Sequence, residues 1–323
     1  MRERIMDKIK IGIIGAGFWG KNHARVFNEL KDVEIIAICD IIKERAIEIA
    51  KNYNIQYIFT DYKELLNNKE IDAISICTPS ITHGEIALEA IKKQKDLFIE
   101  KPMTTKIEEA INLKNELLKN KNEIILMVGF IERFNPVVQK AKELIDKGEI
   151  GNIILSYSRR IGAWPERIGD VGVIKDTAIH DIDLARFLFQ EDPIAVFARG
   201  GSIKHKYYED YVQATLLYKD RKSALIEANW LTPRKKREMH ITGEEGVIRI
   251  GFLSQEIAIE KNEYEIIPTI KWLEPLKLEL THFIECVKNR KEPIVNIEDG
   301  YKATLIAEAL IKSIKENNIV KLF

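Results

Sequence analysis

The stretch Ile11-Gly-Ile-Ile-Gly-Ala-Gly-Phe-Trp-Gly20, followed one strand later by Ile35-Ile-Ala-Ile-Cys-Asp40, decides the fold. Gly15, Gly17 and Gly20 form G-x-G-x-x-G directly after an apolar run (Ile9 to Ile14) and before a helical one (Lys21 to Leu30). The three glycines differ in what they allow. The first permits a tight turn, the second lets a pyrophosphate approach the backbone, and the third lets helix and strand pack closely. Free N–H groups at the helix start then face the phosphates. Asp40 stands twenty residues after Gly20, where a carboxylate accepts ribose hydroxyls and repels a 2′-phosphate. The expected cofactor is therefore NAD and not NADP.

Outward from that motif, residues 9 to 129 alternate strand and helix. Short apolar runs near Ile9–Ile14, Val33–Asp40, Ala73–Cys77, Leu97–Glu100 and Ile124–Gly129 read as parallel strands covered on both faces. Helical patterns fall at Ile42–Asn52, His83–Lys93 and Lys106–Lys119. The expected class is α/β, with an amino-terminal doubly wound parallel sheet of the Rossmann type. From about Gly151 the rhythm changes. A single helical segment, Asp176–Gln190, precedes strand-like runs at Ile194–Ile203, Tyr211–Leu217, Ser223–Leu231, Met239–Thr242, Gly246–Ile250 and Glu256–Ile259. These predict a second α/β domain built on a large, predominantly antiparallel open sheet. Helices resume at Leu276–Asn289 and Ile297–Glu316, and the last residues, from Ile319, read as a short edge strand. The expected domains are 1–129, binding NAD, and 130–323, for substrate and oligomerisation, with a carboxy-terminal helix able to pack back on the first.

Composition narrows the function classes. Lys+Arg and Asp+Glu both total 50 in 323 residues, which gives no support for a nucleic-acid or membrane-surface partner. The opening segment is too charged for a signal peptide, and no run of ~18 apolar residues follows, so a cytoplasmic enzyme is expected. Cys39, Cys77 and Cys286 are far apart and include no C-x-x-C, which predicts neither a disulfide framework nor a metal site. Buried, inert thiols are expected at Cys39 and Cys77.

Two further stretches carry chemistry. In Phe98-Ile-Glu100-Lys101-Pro102 the proline biases Lys101 away from helical angles, holding it extended at the carboxyl end of a parallel strand, the ligand-binding edge of such sheets. In Val171-Gly-Val-Ile-Lys-Asp176-Thr-Ala-Ile-His180-Asp-Ile-Asp183, helical spacing places Asp176, His180 and Asp183 on one side, where aspartates can fix the tautomer of the histidine.

With Gly129-Phe-Ile-Glu-Arg-Phe-Asn-Pro136 and the sheet domain, these motifs make the whole chain resemble the glucose-fructose oxidoreductase and inositol dehydrogenase (Gfo/Idh/MocA) family. The resemblance implies that Lys101, Asp176 and His180 lie around the reacting carbon, and that Thr78, Pro79 and His83 line the nicotinamide side. Phe18, Trp19, Glu100 and Lys101 join the glycines and Asp40 in the implied cofactor set. It also implies a homodimer or homotetramer formed through the open sheet. The segments Arg159–Gly172 and Glu227–Arg237 are similar to the branch that oxidises UDP-N-acetylglucosamine at C3. A nucleotide sugar brings a diphosphate, for which Arg160, Arg167, Lys235 and Arg237 are candidates, and Trp164 and Trp230 could stack on uracil or sugar. Without a metal cluster the protein itself must supply a base. A histidine, at about 6.5, lies closer to neutrality than a lysine, at about 10.4. His180 is therefore the expected base, Asp176 its partner, and Lys101 the cation that stabilises the alkoxide, although the lysine and histidine roles are interchangeable at this level. The expected reaction is NAD-dependent oxidation of UDP-N-acetylglucosamine. The alternatives are oxidation of a free polyol and a non-catalytic NAD-binding regulator.

Overall fold

The computed structural model describes residues 8–120, 123–165 and 169–322. They form two compact units: Met1–Gly129 with Leu276–Tyr301, and Phe130–Pro275 with Lys302–Phe323.

The first unit alternates strand and helix from its start. Its elements are β1 (Ile9–Ile14), α1 (Phe18–Glu29), β2 (Val33–Cys39), α2 (Lys43–Tyr53), β3 (Tyr57–Phe59), α3 (Tyr62–Asn67), β4 (Ala73–Ile76), α4 (His83–Lys92), β5 (Asp96–Glu100), α5 (Ile107–Lys119) and β6 (Leu126–Gly129). The six strands make one parallel sheet of order β3-β2-β1-β4-β5-β6. This is the doubly wound order, with its switch point between β1 and β4. Strands β4, β5 and β6 are buried at every position, as central parallel strands covered by helices must be. Helix α8 (Pro275–Asn289) adds Phe283, edge-on to Phe98 at 5.7 Å. Arg290, just beyond that helix, donates to both carboxylate oxygens of Asp96 at 2.5 and 3.0 Å.

The second unit carries the remaining strands: β7 (Ile153–Ile161), β8 (Ala195–Gly201), β9 (Tyr211–Leu217), β10 (Ser223–Asn229), β11 (Lys236–Gly243), β12 (Val247–Gly251), β13 (Glu256–Glu260), β14 (Glu265–Ile266) and β15 (Val320–Lys321). They form a nine-stranded sheet of order β14-β13-β12-β11-β7-β10-β9-β8-β15. Pairing is antiparallel except between β7 and β10. Burial alternates along the strands, so one face packs and the other is solvated. The packed face meets α6 (Pro136–Asp146), α7 (Ile179–Phe189) and α9 (Ile297–Glu316), through cores that include Leu184, Leu188, Ile241, Ile306 and Leu310. Among the described residues no helix is long and apolar enough to cross a membrane.

Candidate functional site

In the first unit the glycine turn has the shape its sequence requires. Gly15 lies at φ +98°, and a Cβ there would sit 2.6 Å from the Cys77 carbonyl oxygen. A Cβ on Gly20 would stand 1.8 Å from Gly15 O, so strand and helix meet with no room for a methyl group. Gly17 is different: its Cβ would meet nothing within 4 Å, leaving the backbone open at the start of α1. That opening and the uncapped N–H groups beside it fit a pyrophosphate. Asp40 follows β2 directly and serves the turn: Oδ2 accepts the Ala16 N–H at 2.7 Å and Oδ1 the Ile42 N–H at 2.8 Å. A carboxylate offers about four acceptor positions, so two remain for ribose hydroxyls. Phe18 is exposed and edge-on to the half-buried Trp19. Thr78 and Pro79 follow β4 at the same edge of the sheet, and Thr78 Oγ1 accepts from Thr82 Oγ1 at 2.8 Å.

Two residues of the expected cofactor set are buried. His83 is 1% exposed, with Nδ1 2.8 Å from Pro102 O and Nε2 2.9 Å from Thr78 O, so its ring bridges two turns. Glu100 is likewise buried, against Nε2 of His23 at 3.0 Å. Lys101 is 8% exposed, at the end of β5, and its peptide bond to Pro102 is cis.

In the second unit the expected single helix Asp176–Gln190 is two elements. Residues Ile174–Ala178 form a π-helical turn, closed by the Ile179 N–H donating to Ile174 O five residues back, and α7 continues from it. Such π turns recur at functional positions because they offset side chains from the regular helical face. The turn is held from outside, since Glu209 accepts the Val173 N–H through its carbonyl and the Ile174 N–H through Oε1. Burial raises the Glu209 carboxyl above its ordinary value. Asp176 is 8% exposed, and its Oδ2 accepts from Thr177 Oγ1 at 3.0 Å. Thr177 in turn accepts from Trp230 Nε1 at 2.9 Å. His180 is half-buried and edge-on to Phe130.

Asp183 has a charge partner of its own. It receives Nε and Nη2 of Arg133 at 2.7 and 2.5 Å, a buried bidentate pair, because a carboxylate with 1% exposure needs a cation. Arg160, expected at a diphosphate, is 2% exposed and spans Asp181 and Glu132. It is a strut of the interior. Burial would raise Glu132, but Arg160 and Arg237 outweigh it and hold the carboxyl below its usual range. Arg237 is half-buried, 3.7 Å from Glu132, and is lowered first by burial and then by Arg160, against Glu132, Asp181 and Asp176. Lys235 is exposed, two residues earlier, beside Gly162. Arg167 lies outside the described residues. Trp230 is a core residue, 4% exposed, with Trp164 edge-on to it and stacked on His205. Cys39, Cys77 and Cys286 are free thiols and buried.

Sequence reading misses the polar partners: His23, Thr177 as a hydrogen-bond bridge, and the Glu132–Arg160–Asp181 network. The signal for His23 is its place three residues after Gly20, on the helix face turned to the sheet.

The chain is similar to known proteins along most of its length. Residues 9–130 match the oxidoreductase family with an NAD-binding Rossmann fold, and residues 138–249 match the Gfo/Idh/MocA carboxy-terminal domain. Scyllo-inositol 2-dehydrogenase (NAD(+)) of Bacillus subtilis is 32% identical over 321 residues, 92% of this chain and 93% of that one. The solved scyllo-inositol dehydrogenase of Lactobacillus casei, with NAD(H) and scyllo-inositol bound, superposes with a TM-score of 0.85 at 25% identity, covering 98% of this chain and 99% of that one. UDP-N-acetylglucosamine 3-dehydrogenase of Acidithiobacillus ferrooxidans shares the fold at a TM-score of 0.87 and 24% identity, over 96% of this chain and 99% of that one. With an NAD-type glycine turn, a nine-stranded second sheet and both family domains in register along its length, the chain belongs to the Gfo/Idh/MocA oxidoreductase family and carries its NAD-binding Rossmann domain.

Proposed function

We propose that this protein oxidises a secondary alcohol of a ring polyol or sugar, with NAD as the acceptor. The observation that carries the reading is the buried Asp176 carboxylate, held on a π turn by Thr177 and followed on the same helical run by His180. When bound, NAD supplies a two-electron acceptor; the opened turn at Gly15, Gly17 and Gly20, with Asp40 and the side chains of Phe18, Trp19, Thr78 and Pro79, would hold it. The chain's own residues manage the proton. His180 takes the hydroxyl proton, Asp176 orients and stabilises the resulting imidazolium, and the Lys101 ammonium donates to the alkoxide as charge builds on oxygen.

For substrate, a cyclic polyol of the inositol type is the favoured class. The B. subtilis relative named above, a scyllo-inositol 2-dehydrogenase, matches 92% of this chain, and Arg160, the cation expected at a diphosphate, is paired with Asp181 and Glu132. A second reading, oxidation of UDP-N-acetylglucosamine at C3, is supported by Lys235 and Arg237, which stay at the more accessible end of β11. A panel of inositols, free sugars and UDP-sugars, followed by NADH absorbance, tests both. Turnover of an inositol with no competition from UDP supports the first reading, whereas salt-sensitive competition by UDP and turnover only of the nucleotide sugar supports the second. For assembly, the open face of the second sheet, which exposes Leu155 and Leu225, supports a homo-oligomer of two or four copies, measurable by light scattering.

A further inference from the structure

Beneath the glycine turn lies a polar chain that the chemistry above does not use. His23, on α1, is fully buried, with Nδ1 2.8 Å from Ser75 Oγ on β4 and Nε2 3.0 Å from Oε1 of Glu100, the last residue of β5. The other carboxylate oxygen, Oε2, accepts the backbone N–H of Lys101 at 3.2 Å. Around the imidazole stand Phe27 and Phe98, both edge-on, and Trp19. The titratable groups facing it are Glu100 and Cys77, whose Sγ is 3.5 Å from Ser75 Oγ.

A carboxylate 6% exposed in such surroundings is tolerable only with a cation or several donors beside it. An apolar pair of similar volume would fill the space at lower cost. What an apolar pair could not provide is an acceptor for the Lys101 amide. That amide is the last backbone donor before Pro102, which has none. On the far side of the lysine, Pro102 O is tied to His83. The backbone that presents Lys101 is thus gripped at both ends, and one grip depends on a histidine of α1, 77 residues before Glu100.

We propose that His23 is a positioning residue for Lys101: through Glu100 it fixes the peptide from which the lysine side chain departs. The proposal rests on the reading of Lys101 as a group that acts on the substrate, and its geometric half stands apart from that reading. Contacts with Cys77 and Glu100 outweigh burial, which opposes the charge, and raise His23 above its ordinary value, which favours the imidazolium. In that form Nε2–H donates to Glu100 and Nδ1–H to Ser75, whose hydroxyl turns to Cys77.

The test combines amide exchange with kinetics. In the ¹⁵N-labelled protein without substrate, His23→Leu should speed exchange of the Lys101 amide by about tenfold, the effect of losing one hydrogen bond, while the Ile99 amide keeps its protection. The same variant should keep NAD binding and lose at least roughly tenfold in kcat, the lower end of what misplacing a reacting group costs. His23→Gln, which retains a donor toward Glu100, should recover part of both. Should His23→Leu fail to fold, Glu100→Gln carries the same two measurements. Unchanged exchange at Lys101, a rise shared by the whole of β5, or faster exchange with undiminished kcat would each overturn the assignment. If the wild-type protein turns over no polyol, sugar or nucleotide sugar, the proposed function fails, and the exchange data still decide whether His23 holds the Lys101 peptide.

Discussion

Asp40 holds Ala16 and Ile42 by their N–H groups, and we propose that the same carboxylate meets the adenosine ribose of a bound dinucleotide. NAD should therefore bind at least roughly tenfold better than NADP, about 1.4 kcal/mol. Calorimetric titration of Asp40→Ala should show the gap narrowing, with NAD itself weakened because the glycine turn loses an acceptor. Unchanged affinities for both would remove Asp40 from the ribose. At the reacting end, Lys101→Ala and His180→Ala should each keep NAD binding and a cooperative melt while losing roughly 10² or more in turnover. His23 adds a pH signature. Its value is about 10 in the folded protein against about 6.5 in an unfolded chain, so its contribution to stability is complete below the lower value and is lost as pH rises through the upper one. The difference in urea midpoint between wild type and His23→Gln should be largest in mild acid and shrink toward pH 10; a difference that grows with pH would mean that the buried ring is neutral.

At the scale of elements, buried ion pairs sit beside the apolar cores of the second unit. Arg133 and Asp183 are 4% and 1% exposed, and both hydrogen bonds between them are short. Asp183→Ala strands the guanidinium and should cost about 3 to 5 kcal/mol by urea melts; a loss of only a few tenths would show that water reaches Arg133. The same pair marks the limit of sequence reading. Periodicity places Asp176, His180 and Asp183 on one helical face, but a π turn interrupts that helix, and Asp183 follows its charge partner inward. Apolar strands with glycine turns are legible because burial on both faces leaves an uninterrupted hydrophobic run, as in β4 and β5. Strand β7 is not. Its sequence, Ile-Ile-Leu-Ser-Tyr-Ser-Arg-Arg-Ile, buries Ser156, Ser158 and Arg160 on the packed face, so it lacks the alternation of an ordinary half-buried strand. The three-residue β3 and the short α3 are too brief to show a period, and α6 is announced chiefly by its ends, where Asn135 caps it and Pro136 opens it. The place of His23 after Gly20 marks it as sheet-facing, but its pairing with Glu100, 77 residues away, leaves no local pattern.

For the molecule as a whole, fold and cofactor follow from two family domains matched at residues 9–130 and 138–249, whereas the substrate class proposed above leans on similarity to an inositol dehydrogenase. Arg160 is withdrawn from surface chemistry by Asp181 and Glu132, which shifts the balance from a diphosphate-bearing substrate toward a neutral ring polyol. The central claim is that a carbon-bound hydrogen of such a ring passes to NAD while the protein takes the hydroxyl proton. The most direct measurement supplies inositols and sugars deuterated at the ring carbons, together with NAD, and looks for deuterium at the nicotinamide C4 by NMR. The account predicts deuterium in the reduced cofactor with at least one cyclic polyol, accumulating at least roughly 10²-fold more slowly in His180→Ala. Reduced cofactor that carries no deuterium, or none formed with any polyol, sugar or nucleotide sugar, would contradict it.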